Sequence, residues 1–180
     1  MIPLNVRHEL REGRYERSDA GIIVPRAGML VEGRFHWRRN GWPYGCKRNL
    51  LTDEGIALVI ADTQPSPLYC ALFADDVTPL KTWTGATFDA VATEINSTTD
   101  GYAETTRPVL VADAVTASEF NIRTTGSPLQ ICGFGVLSGD VIGSTSDVLM
   151  AAIRLSEAPE LYDDHDILDV YYSYTAVPIT

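Results

Sequence analysis

Ile167-Leu168-Asp169-Val170-Tyr171-Tyr172-Ser173-Tyr174-Thr175 decides the fold class. Leu168, Val170, Tyr172 and Tyr174 fall on one side of a period-two ribbon, and Asp169, Tyr171, Ser173 and Thr175 on the other. β-branched and aromatic residues dominate, so the run reads as a half-buried strand with an apolar inner face. A strand of this kind is stable only when others cover its apolar side.

Working outward, the same pattern returns. Leu149, Ala151, Ile153 and Leu155 alternate with Met150, Ala152 and Arg154, and Phe120 and Ile122 alternate with Glu119, Asn121 and Arg123. Ile131 to Leu137 is apolar on both faces and reads as a central strand, its glycines 133 and 135 allowing close approach of another backbone or helix. Leu68 to Ala74 reads as a buried strand, and Arg107 to Val111 begins another. Met29 to Arg38 alternates too, with Val31, Phe35 and Trp37 on one face. Asn40-Gly41 and Trp42-Pro43-Tyr44-Gly45 read as successive turns.

Two stretches read as helix. Thr52 is placed to cap a segment running to about Ala61, with Asp53 and Glu54 in the first turn, where the helix dipole favours acids. Thr87 to Ile95 has apolar residues at helical spacing and reads as a short amphipathic helix over the sheet. Roughly seven strands with turn-rich links favour a mainly β body, an antiparallel β-sandwich of jelly-roll-like or immunoglobulin-like kind. The expected organisation is an extended basic N-terminal arm with a first strand or hairpin over residues 1–48, followed by a β-sandwich body over 49–180.

The net charge of −10 conceals an asymmetry. Residues 1–48 carry ten Lys/Arg and five acids, a balance of +5, which leaves −15 for the remainder. A basic arm on an acidic body points to an acidic partner surface, including the body of a neighbouring copy. Nucleic acid is disfavoured, because Glu9, Glu12, Glu16 and Asp19 interleave with the arm's arginines and would repel phosphate. No apolar run approaches the ~20 residues of a membrane helix, and the start lacks the apolar core of a signal peptide. The expectation is a soluble chain made in a cytoplasm.

Little in the sequence displays chemistry. Cys46, Cys70 and Cys132 are widely spaced, without a C-x-x-C pair or histidines at zinc spacing, and read as buried free thiols. Asp163-Asp164-His165-Asp166 lacks the spacing and glycine of a calcium loop and reads as a solvated turn. There is no G-x-S-x-G elbow and no phosphate-binding glycine loop. The expectation is no enzyme, no cofactor and no metal.

An ordered series of segments resembles a known family. It comprises N-L-L-T-D-E-G at 49–55, L-Y-C-A-L-F at 68–73, F-D-A-V-A-T-E-I at 88–95 and G-Y-A-E-T-T-R-P at 101–108. It continues with I-C-G-F-G-V-L at 131–137, L-M-A-A-I-R-L at 149–155 and D-I-L-D-V-Y-Y-S-Y-T at 166–175. The series resembles a group of tailed-bacteriophage virion proteins found among head and structural genes. The resemblance implies a non-enzymatic capsid decoration (cement) protein, located on the capsid surface and partnered by the major capsid protein and neighbouring copies of itself as a trimer or dimer. Related sequences imply a tail, neck or fibre component as an alternative, and a carbohydrate-binding β-sandwich for host attachment is a further one. On the decoration reading, Arg7, Arg11, Arg14 and Arg17 dock the arm onto acidic surfaces, and Trp37, Trp42 and Tyr44 anchor the junction.

Overall fold

The computed structural model describes residues 15–17, 23–25, 28–60, 66–113, 115–156 and 158–179. The chain forms two compact units, Met1–Val31 with Thr175–Thr180, and Glu32–Tyr174. In the first, β1 (Tyr15–Arg17) and β2 (Ile23–Pro25) pair antiparallel with Glu16 opposite Val24. This part of the expected arm is thus a short antiparallel strand pair. The rest of residues 1–27 lies outside the described residues.

The second unit is a β-sandwich. One five-stranded sheet runs in the order β5 (Leu50–Leu51), β12 (Leu149–Arg154), β11 (Gly133–Leu137), β6 (Leu68–Phe73) and β8 (Val109–Leu110). The other runs β4 (Trp42–Arg48), β3 (Gly28–Arg39), β14 (Ile167–Ile179), β9 (Ser118–Arg123) and β7 (Gly101–Tyr102). A separate ribbon pairs β10 (Leu129–Ile131) with β13 (Glu160–Tyr162). The deciding stretch falls in β14, and its alternation holds: Leu168, Val170 and Tyr172 are buried while Asp169 and Tyr171 are half-exposed.

The sheets meet through aromatic rings. Phe134 of β11 lies 5.7 Å from the ring centres of both Phe35 and Trp37 of β3, and Phe35 lies 4.8 Å from Tyr172 of β14. Such tilted and edge-on pairs add to the stabilisation from burial alone.

A third layer covers the far side of the first sheet. On that side Ala71, Gly135 and Ala152 stand level across β6, β11 and β12. These small residues leave a trough that Phe88 of α2 (Phe88–Ala92) fills, packed edge-on against Phe73 with Trp83 beyond. A Cβ on Gly135 would stand 2.8 Å from the Phe88 ring, so the close approach expected of this glycine is made by a helix-borne aromatic.

α1 (Asp53–Ile60) begins as the sequence predicts. The Thr52 hydroxyl accepts from the Gly55 amide at 3.0 Å and donates to the Leu149 carbonyl, tying the cap to β12. Glu54 accepts from the amides of Gly85 and Leu149, both at 3.0 Å.

Three local expectations change. Trp42 to Gly45 is strand, because Asn40-Gly41 alone makes the turn, both residues having positive φ (50° and 77°). The strand expected over 131–137 divides at Cys132, where β10 leaves to pair with β13. The helix expected over 87–95 stops at Ala92, since Thr93 turns left-handed (φ 50°) and Glu94 bridges to Phe73.

The sheet edges are guarded. β5, β7 and β8 are two residues long, and β4 carries a bulge, Pro43, Lys47 and Arg48. Short, bulged or charged edges resist strand addition by another chain.

Candidate protein-binding surface

The structure separates the residues singled out from sequence. Arg7, Arg11 and Arg14 lie outside the described residues, and Arg17 lies in β1 with its side chain undescribed. Trp37 is 4% exposed, edge-on to Phe134, with its indole N–H donating to Glu160 at 3.2 Å. It is a core residue and not a surface anchor, because its place in the period-two pattern turns it inward with Phe35. Trp42 and Tyr44, on the edge strand, are 77% and 51% exposed.

These two rings stand on a braced base. At the β3–β4 turn, the Asn40 side-chain amide donates to Asp166 at 2.7 Å, and its oxygen accepts from the Ile167 amide at 2.8 Å. Arg39 pairs with Asp166 and with Asp163, donates to the Leu161 carbonyl at 2.9 Å, and lies over the Tyr162 ring. Tyr44 packs against the same ring, 6.3 Å between centres. The turn is therefore held to the loop before β14 by a network.

That network revises the reading of residues 163–166 as a solvated turn. Asp163 and Asp164 are exposed, but Asp166 is 8% exposed. Burial alone would raise its pKa, yet the bonds from Asn40, Arg39 and the Asp163 amide outweigh burial and hold the carboxyl below its ordinary value.

The face of the second sheet turned away from the core has a charge pattern. Arg34 stands directly opposite Arg48 across β3 and β4, and Asp169 directly opposite Glu119 across β14 and β9. Arg38 bridges the two regions, its guanidinium 5.0 Å from the Tyr171 ring centre. Burial, then the Glu119 charge, pushes the Asp169 carboxyl up, with Arg38 opposing. Near the β4 end, a cleft of about 250 Å³ is lined by Lys47, Arg48, Leu50, Pro79, Ile153 and Arg154, which extends the basic surface around the edge of the sandwich.

A second polar cluster, not singled out from sequence, is sealed inside. Arg107 grips Glu94 with two hydrogen bonds (2.6 and 2.8 Å), bonds Asp147 at 2.5 Å, and donates to the Gly139 carbonyl at 2.8 Å. Burial disfavours its charge, but the Glu94 and Asp147 partners more than compensate and raise its pKa. Glu94 also accepts from the Gly143 amide at 2.9 Å. Arg107 belongs to the G-Y-A-E-T-T-R-P segment, whose other members have structural jobs as well. Tyr102 packs edge-on to Phe120, and Glu104 accepts from the Asn121 amide and side chain. The segment's conspicuous polar residues thus build the body.

No protein-family model, curated protein or solved structure matches this chain. Among the described residues, no group of three or more His, Cys, Asp or Glu is placed to hold a metal ion. No described helix is long and apolar enough to cross a membrane.

Cys70 and Cys132 are buried thiols as expected, whereas Cys46 is exposed on β4 with its sulfur 3.8 Å from His36 Nε2. The difference follows from position: β6 lies inside the sandwich, while β4 is an edge.

Proposed function

We propose that this chain is a structural protein of a tailed-bacteriophage virion, decorating and stabilising the capsid shell by protein–protein contact. The exposed pair Trp42 and Tyr44, braced at the end of a basic hairpin, is the observation that carries this reading. Large aromatics flanked by arginine supply disproportionate contact energy when a partner covers them. Solvent exposure of two such rings is otherwise unfavourable. The ordered resemblance over residues 49–175 supports the same role, and so does a basic segment of +5 beside an acidic remainder of −15. The partners on this reading are the major capsid protein and neighbouring copies. Many modest contacts, repeated over a shell, stabilise it by multivalency.

The test is copy number in purified particles, measured by quantitative mass spectrometry against the major capsid protein. A ratio near unity or a simple fraction is expected. A trace ratio would move the protein to the tail, neck or fibre. Changing Arg7, Arg11, Arg14 and Arg17 to glutamate is expected to lower occupancy on particles without changing the body's unfolding midpoint. Unchanged occupancy would remove the arm's arginines from the contact.

A further inference from the structure

We propose that the outer face of the sheet β4-β3-β14-β9-β7 joins two copies of this chain about a two-fold axis running along β14. The inference deepens the proposed structural role, which includes contacts between neighbouring copies. It rests on where the sandwich is closed and on how its outer charges are arranged.

The edges leave little room for strand pairing, as three are two residues long and the fourth is bulged and carries proline and basic residues. A partner must then use a face. The outer side of the first sheet is covered by α2 and the segment bearing Trp83. The outer side of the second sheet carries Arg38 and Glu119 exposed, with Asp169 and Tyr171 half-exposed.

Among the described side chains, charge on this face is divided by strand. Arg34, Arg38 and Arg48 occupy β3 and β4, whereas Asp169 and Glu119 occupy β14 and β9. Like charges directly opposite on neighbouring strands are destabilising, and Asp169 and Glu119 form an acidic pair of this kind. A surface with basic and acidic halves is complementary to itself after a half-turn, which is the requirement of an isologous contact.

The register makes the pairing specific. The amide of Asn40, directly after β3, donates to the carbonyl of Ile167 of β14 at 2.9 Å, so Arg38 lies level with Asp169, which lies level with Glu119. An axis along β14 exchanges β3 and β9 at constant height. Arg38 of each copy then faces Glu119 of the other, and the two Tyr171 rings meet near the axis. Asp169 approaches its own copy there, flanked by Arg38 from both. Among the described side chains Arg123, at the far end of β9, is the exception to the division and lies away from this row.

The five strands, about 4.8 Å apart and running from two residues in β7 to thirteen in β14, present on the order of 500 Å² per copy. That is the lower end for a specific interface, and its polar character makes the association concentration-dependent and sensitive to salt.

Sedimentation of the full chain tests the proposal without reference to particles, so its failure is separable from failure of the decoration role. Wild type is expected to dimerise with rising concentration at low salt and to dissociate at high salt. Arg38→Glu and Glu119→Arg, each alone, are expected to be monomeric, because each places two like-charged pairs across the axis. An equimolar mixture of the two variants is expected to form a heterodimer, which also shows that both are folded. The double variant in one chain is expected to dimerise again. A wild type that stays monomeric at low salt, single variants that still dimerise, or a mixture that does not associate would each overturn the proposal.

Discussion

Arg107 and Glu94 meet as a two-point ion pair with neither side chain exposed to solvent, Nε to Oε1 at 2.6 Å and Nη2 to Oε2 at 2.8 Å. Around it, Asp147, the Gly139 carbonyl and the Gly143 amide complete a network that joins the segment after α2 to the loop before β12. Its worth lies in completeness. The buried Glu94 and the partly buried Asp147 share one guanidinium, so loss of the cation leaves the Glu94 charge in the interior without compensation.

Arg107→Ala is therefore expected to destabilise the body by about 3–5 kcal/mol, read as a lowered midpoint in urea denaturation. Arg107→Lys should recover only part of this, since an ammonium cannot make the two-point contact with Glu94 while also reaching Asp147. Equal stability of the lysine variant and wild type would contradict the geometric account.

The trough formed by Ala71, Gly135 and Ala152 makes a different prediction. Phe88→Ala empties it and should cost about 3–5 kcal/mol, measured by the same denaturation. Gly135→Ala is expected to be milder, about 1–3 kcal/mol, because its Cβ meets the movable tip of the Phe88 ring. Gly133→Ala should be worse than Gly135→Ala. Its Cβ would stand 2.1 Å from the Ile153 carbonyl oxygen as well as against Phe73, and backbone cannot give way as a ring can.

Much of this was legible in the chain because the strands obey period two. The alternation of Ile167 to Thr175 named the buried Leu168, Val170 and Tyr172, and the apolar run ending at Leu137 named the middle strand of a sheet. Thr52 announced its own cap. What escaped had no periodic signal. β5, β7 and β8 are two residues each, too short for alternation to register, and β13 is three. Trp42 to Gly45 resembles turn chemistry residue by residue, yet the type of turn at Asn40-Gly41 commits the following residues to strand. The buried role of Arg107 depends on Glu94 and Asp147, which are distant in sequence, and local pattern does not report such a meeting. Trp37 shows the converse: its burial was implied by the alternation with Phe35, against its selection as a surface anchor.

The Asp166 network gives a pH dependence. Its pKa in the folded chain lies below the ordinary value of about 3.9. The unfolded state thus binds the proton more readily, so the contribution is fully present above the unfolded value and is lost as pH falls through the folded one. Urea titrations at neutral and acidic pH should show Asp166→Asn less stable than wild type at neutral pH, with the gap narrowing in acid. A gap that stays constant with pH would show that Arg39 and Asn40 do not depend on the Asp166 charge.

Trp42→Ala separates surface from core on the same hairpin. Trp42 is 77% exposed, so its loss should change stability by no more than about 0.5 kcal/mol. Trp37→Ala, one turn of the hairpin away, should cost about 3–5 kcal/mol by leaving a cavity beside Phe134 and an unpaired Glu160 contact. If Trp42→Ala proved as damaging, the ring would be part of the fold and unavailable to a partner.

The three thiols should differ sharply toward an aromatic disulfide reagent. Only the thiolate reacts, so access and pKa together set the rate. Burial, reinforced by the Glu94 charge, pushes the Cys70 thiol up, and burial does the same at Cys132, where the sulfur also contacts the Ala74 carbonyl at 2.8 Å. Cys46 is exposed beside His36 and should react at once in the native protein, while the other two react only as the body opens. Cys46→Ser should abolish the fast phase and leave the slow one, whose rate then reports opening of the sheet that contains β6 and β11. A fast phase that survives in Cys46→Ser would mean that Cys132 is reachable from the surface, and that the ribbon of β10 and β13 opens without the rest of the body.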